Sequence, residues 1–129
     1  TMLNNVNLNI VMFRDRRKGI RRVYQVAEII PSKEIVSANI LYRWIPEEDK
    51  LIRHSENLRF FEDISKITGM SQQEINKNIE NKRSILDWMV KNKIRDLNAF
   101  GKVMNLYYTN KEILANIIKT NNIKAVLGV

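Results

Sequence analysis

The chain has 129 residues, 44% of them hydrophobic and 28% charged, enough for one compact domain or two small subdomains with a genuine core. It has no cysteine, so disulfides and thiolate metal sites are excluded, and no apolar run approaches the roughly 20 residues of a membrane-spanning helix. Lys and Arg outnumber Asp and Glu by 22 to 14, and a net charge of +8 points to an anionic partner: nucleic acid, an acidic lipid surface, a nucleotide or an acidic protein face.

No secretory signal is expected, because the most apolar early run, Leu8 to Phe13, is interrupted by Asn9. In that run Leu8, Ile10 and Met12 alternate with Asn7, Asn9 and Val11, the period of a strand. Asp15 to Gly19 is charged and ends in glycine, which predicts a hairpin loop. Val23, Gln25, Ala27 and Ile29 then face one way, and Tyr24, Val26, Glu28 and Ile30 the other, until Pro31-Ser32-Lys33 breaks the run. A third strand is expected from Val36 to Trp44. A turn over Pro46-Glu47-Glu48-Asp49-Lys50 and a return over Leu51 to Arg53 complete an antiparallel meander of about four strands.

After Ser55 the period becomes helical. Leu58, Phe61, Ile64, Ser65 and Ile67 carry one amphipathic stripe, ended by Gly69. Ser71-Gln72-Gln73-Glu74 is a capping box opening a helix with Ile75, Ile79, Leu86, Met89 and Val90 on one side. Asp96 is suited to cap a third helix bearing Leu97, Phe100, Val103, Met104 and Tyr107. Thr109-Asn110-Lys111-Glu112 reads as a second capping box before Ile113, Leu114, Ile117 and Ile118. Thr120 to Val129 carries no clear signal. Strands first and helices last, without βαβ alternation, predict an α+β fold. Its parts are a β-hairpin region over 1–54 and a four-helix subdomain over 55–129, joined near Ser55–Leu58.

Catalytic chemistry is hard to assemble from these residues. A phosphate-binding loop needs a glycine-rich turn followed by Lys and Ser or Thr. The chain has Gly19, Gly69, Gly101 and Gly128, and its one Gly-Lys pair, Gly101-Lys102, falls in a predicted helix. His54 is the sole histidine, which disfavours both a zinc site and a nucleophile–base pair. Glu47, Glu48 and Asp49 read as a solvated turn, and Trp44 and Trp88 as packing anchors. No catalytic residue and no metal ligand is expected in this chain.

The densest charge is Arg14, Arg16, Arg17, Lys18, Arg21 and Arg22, with only Asp15 opposing it. Three readings stand: a solvated hairpin loop, a patch facing a subunit interface or nucleotide, or a nucleic-acid contact. Arginine suits the second because its guanidinium grips phosphate or carboxylate with two parallel bonds. The third is disfavoured because Phe13 and Tyr24 fall on apolar faces and no recognition motif is present.

Several segments, in order, resemble the end of the archaeal type II/IV secretion ATPases, the group of the archaellum motor and the pilus-assembly ATPases. They are Met2-Leu3-Asn4-Asn5-Val6-Asn7-Leu8-Asn9-Ile10-Val11, then Gly19-Ile20-Arg21-Arg22-Val23-Tyr24-Gln25-Val26-Ala27-Glu28-Ile29, then Asn39-Ile40-Leu41-Tyr42-Arg43-Trp44-Ile45-Pro46 with Asp49. The last are Ile85-Leu86-Asp87-Trp88-Met89-Val90, Asn92, Ile94-Arg95-Asp96 and Tyr107-Tyr108. The resemblance covers about residues 2–118. It implies a hexameric ring at the cytoplasmic face of a membrane that moves a polytopic platform protein. ATP and magnesium would be bound by a part of the parent preceding this segment, and no cofactor by this chain. The strands would complete the edge of the RecA-like ATPase domain and the helices a carboxy-terminal subdomain. The piece alone is expected to hydrolyse nothing and to self-associate through its first strand, left without a sheet neighbour. The competing class is a stand-alone basic nucleic-acid-binding domain.

Overall fold

The structure is a computed structural model, which describes residues 6–127. Four strands, β1 (Leu8–Asp15), β2 (Ile20–Ile30), β3 (Ser37–Ile45) and β4 (Lys50–Arg53), form one antiparallel sheet in the order β1-β2-β3-β4. Helices α1 (Phe60–Thr68), α2 (Gln72–Lys91), α3 (Leu97–Thr109), α4 (Lys111–Lys119) and α5 (Lys124–Leu127) follow. This is the expected α+β arrangement. The start of the resemblance, Met2 to Asn5, lies outside the described residues.

The chain divides into two compact units, one ending at Ile75 and the other beginning at Asn76, within α2. In the first, α1 accompanies the sheet, beyond the change of sequence period at residue 55. The reason is Glu28, the one fully buried charged residue among those described. From β2 its carboxylate accepts the backbone N–H groups of Leu58, Arg59 and Phe60, and the Asn39 amide at 2.8 Å. Arg59, the residue before α1, makes no side-chain cap of its own. A remote carboxylate therefore satisfies the open amides at the positive end of this helix. Gly69, at φ 73°, ends α1 in the left-handed conformation expected of it.

The sheet departs from strict alternation twice. Register shifts between Val11 and Met12, leaving Tyr24 of β2 opposite no β1 residue, and again between Val26 and Ala27, leaving Leu41 of β3 unmatched. Phe13 of β1 stacks on Trp44 of β3, with ring centroids 5.3 Å apart. Ile10 and Met12 are both exposed, at 56% and 63%, and Leu8 is half-buried.

In the second unit the core gathers Ile85, Trp88, Met89, Ile94, Ala99, Val103, Tyr107, Leu114, Ile117 and Val126. Short helices depend on such tertiary burial. Of α2, this unit buries Ile85, Trp88 and Met89, and the first unit buries Ile75, whereas Ile79, Leu86 and Val90, expected beside them, are exposed. Leu97 and Phe100 of α3 are exposed likewise, because Ala99 occupies the turn that meets the core. The capping box at α2 forms: Ser71 Oγ accepts the Glu74 amide at 3.2 Å, and Glu74 accepts the Ser71 amide at 2.7 Å. At α4 the cap is Asn110, whose Oδ1 accepts the Ile113 amide, while the Thr109 hydroxyl bonds back to the Asn105 carbonyl. Beyond it, α5 forms in a segment whose sequence carries no clear signal, and it buries Val126.

Candidate functional site

The basic hairpin between β1 and β2 owes its shape to Asp15. Its Oδ1 accepts the amides of Arg17 at 2.8 Å and Lys18 at 3.2 Å, a side chain closing a turn on its own backbone. Gly19 then takes φ 65°, a value glycine adopts without the steric cost of a Cβ. The turn carries Arg16, Arg17 and Lys18 into solvent, and the strands below it place Arg14 directly opposite Arg21. Among the described residues, none of Arg14, Arg16, Arg17, Lys18 and Arg21 has a carboxylate partner. Like charges facing each other across a strand pair are destabilising unless an anion lies between them.

Arg22 is set apart from these five. Its Nε and Nη2 hold both Asp49 oxygens, at 2.6 and 2.8 Å, and its Nη1 donates to the Arg21 carbonyl at 2.8 Å. Asp49 also accepts the Trp44 indole N–H at 2.9 Å. The Arg22 guanidinium, followed by the indole, holds the Asp49 carboxyl down at about 2. The same hydrogen bond raises the Arg22 pKa further. Arg22, Asp49, Trp44 and Phe13 thus form a clamp joining the two hairpins, and the five other cations form the patch.

The other residues weighed as chemistry are placed in structural roles. Glu48 faces Lys50 at 3.6 Å, and the His54 amide donates to the carbonyl of Leu41, the unmatched residue of β3. Gly101-Lys102 lies inside α3, where helical bonding occupies the backbone, so this pair does not fit nucleotide phosphates. No group of three or more metal-ligating side chains occurs among the described residues, and no described helix is long and apolar enough to cross a membrane.

The second unit has a feature that the sequence reading missed. A groove of about 410 Å³ is lined by Ser84 and Ile85 of α2, Tyr107 of α3, and Lys111, Leu114 and Ala115 of α4, among others. The Tyr107 ring is buried, and its hydroxyl oxygen accepts the Asn78 side-chain amide N–H at 3.3 Å. Lys111 Nζ lies 4.8 Å and Lys82 Nζ 5.7 Å from the centre of that ring. Tyr108, 5.0 Å away and edge-on, is exposed. A signal existed: Asn78 and Lys82 sit at i+3 and i+7 from Ile75, on the line that continues to Ile85 and Met89.

No protein-family model matches the chain. Over 123 residues it is 28% identical to a protein of Methanocaldococcus jannaschii described as uncharacterized protein MJ0781. That alignment takes in 92% of this chain and 17% of the relative, so the chain spans a small part of the protein it is similar to.

Proposed function

We propose that the chain is a carboxy-terminal module of a secretion-type motor ATPase, with a structural and contact role in the ring and no hydrolytic role of its own. The observation that carries this reading is the sheet. Ile10, Met12, Tyr42 and Leu51 are all exposed on it, and among the described residues the eight-residue β1 is an edge strand. Such a sheet is suited to be covered and extended by a larger domain. The ordered resemblance and the similarity to a much longer archaeal protein support the same view. In this reading nucleotide and magnesium belong to the rest of the parent. The exposed cations Arg14, Arg16, Arg17, Lys18 and Arg21 contact an anionic surface of a neighbouring subunit, while Arg22 holds the hairpins together.

The test is an alanine series at those five positions in the full-length parent, with ATPase rate and oligomeric state measured for each. A weakened ring or slowed hydrolysis is expected. Unchanged rate and assembly across the series would remove the proposed contact. The unpaired cations also suit nucleic acid, for which affinity would fall steeply with salt as counterions are released. Titration with duplex and single-stranded oligonucleotides near physiological salt separates the two, and the motor reading expects no binding.

A further inference from the structure

The groove of the second unit has properties that go beyond the proposed function and hold whatever the parent protein is. Its accessible apolar lining is exposed Ala115 and half-buried Ile118, above the buried Ile85, Leu114 and Tyr107 ring. Its rim is cationic: Lys111 and Lys119 line it and Lys82 approaches the same tyrosine. No carboxylate lines it, and among the described residues none of these three lysines has a carboxylate partner. The acidic residues of the neighbouring turns of α2 are engaged elsewhere, Glu80 and Asp87 both with Arg83.

Two ammonium groups over one buried aromatic ring repel each other. The ring's negative face offsets part of that repulsion, and a carboxylate arriving from outside would offset the rest. The outer walls are small at Ser84 and Ala115, both exposed, which allows another backbone to come close. An apolar floor between cationic edges with small walls is complementary to one kind of partner. That partner is a helix with apolar residues on one stripe and acidic residues flanking it.

We propose that this groove docks an acidic amphipathic helix of a protein partner, its apolar stripe over Ala115 and Ile118 and its flanking carboxylates on Lys111 and Lys119.

The experiment uses the full 129-residue chain and a labelled synthetic helix with Leu at i, i+3, i+4 and i+7 and Glu at the flanking positions, read by fluorescence anisotropy. A second helix has Lys for every Glu. The acidic helix is expected to bind and the basic one not to bind. The double variant Lys111→Glu/Lys119→Glu should weaken binding about tenfold or more, since it replaces two attractive rim contacts by two repulsive ones. Ala115→Phe, an exposed position whose occupation fills the groove, should abolish binding while leaving the far-ultraviolet circular dichroism unchanged. Absence of binding by the acidic helix, equal binding of both helices, or full binding by folded Ala115→Phe would each overturn the proposal. Binding of vesicles rich in anionic lipid in place of the acidic helix would overturn it too, and would assign the groove to a membrane surface.

Discussion

The carboxylate of Glu28 accepts a 2.9 Å hydrogen bond from the backbone N–H of Phe60, 32 residues further along the chain. Burial alone would push this carboxyl up. The Asn39 amide and the N–H groups of Phe60, Leu58 and Arg59 outweigh that, and the group sits below the ordinary glutamate range. Its pKa is lower in the folded state than in the unfolded one. The stabilisation is therefore fully present above the unfolded value and is lost as pH falls through the folded one. Glu28→Ala is expected to cost about 2–4 kcal/mol, as loss of a helix cap joined to loss of charged hydrogen bonds. Glu28→Gln should cost less and should flatten the acid limb of stability against pH. Denaturant titrations of both variants at neutral and acid pH check this.

The Arg22–Asp49 clamp predicts a titration. Carbon-detected NMR of the Asp49 carboxyl should give a midpoint of about 2. In Arg22→Ala the midpoint should rise toward the ordinary aspartate value, with only the weaker hold of the Trp44 indole remaining. Because the folded value is the lower one, the clamp stabilises above the aspartate range and is lost as pH falls through about 2.

Arg14 and Arg21 face each other with no counter-charge. Arg14→Glu should replace a repulsive cross-strand pair by an attractive one and stabilise the hairpin by roughly 0.2–1 kcal/mol. A multivalent anion such as tripolyphosphate should raise the Tm of the wild-type chain and lose that effect in the variant. Thermal melts with and without the anion read both outcomes.

The edge position of β1 among the described residues predicts association of the 129-residue chain with itself. The other edge, β4, is four residues long and bounded by Lys50 and Arg53, features that discourage strand addition. Sedimentation velocity should show concentration-dependent association for the wild type and a monomer for Met12→Lys, which places a charge on the exposed part of β1. A clean wild-type monomer at high concentration would contradict the edge argument.

Asn110→Ala should cost about 1 kcal/mol, and Thr109→Ala less than about 0.5 kcal/mol, because only Asn110 satisfies an open amide of α4. Chemical denaturation of the two variants compares them directly. These neighbours also show how far the sequence could be read. Local chemistry was legible: the Asp15–Gly19 and Pro46–Lys50 turns, the Ser71–Glu74 box and the Asp96 cap all form through contacts spanning a few residues. The choice between Thr109 and Asn110 was not, since both residue types cap helices and only backbone conformation selects one. The two register shifts were hidden because a single extra residue leaves composition unchanged while reversing the phase of everything beyond it. Glu28 looked like one polar position of an alternating strand, and its role required α1 to be brought to it. The basic patch was visible as charge, but the separate task of Arg22 depended on Asp49, 27 residues away. The groove depended on three helices at once.

The two tryptophans of the chain are divided between its compact units, Trp44 in the first and Trp88 in the second. Each indole is largely buried, and each donates its N–H to an oxygen held by a left-handed turn residue, Asp49 for Trp44 and Asn121 for Trp88. The molecule therefore contains its own pair of optical reporters. Trp88→Phe leaves emission that follows the closing of the hairpins, and Trp44→Phe leaves emission that follows the α4–α5 turn. A single sample of each gives the folding of one unit without any added dye.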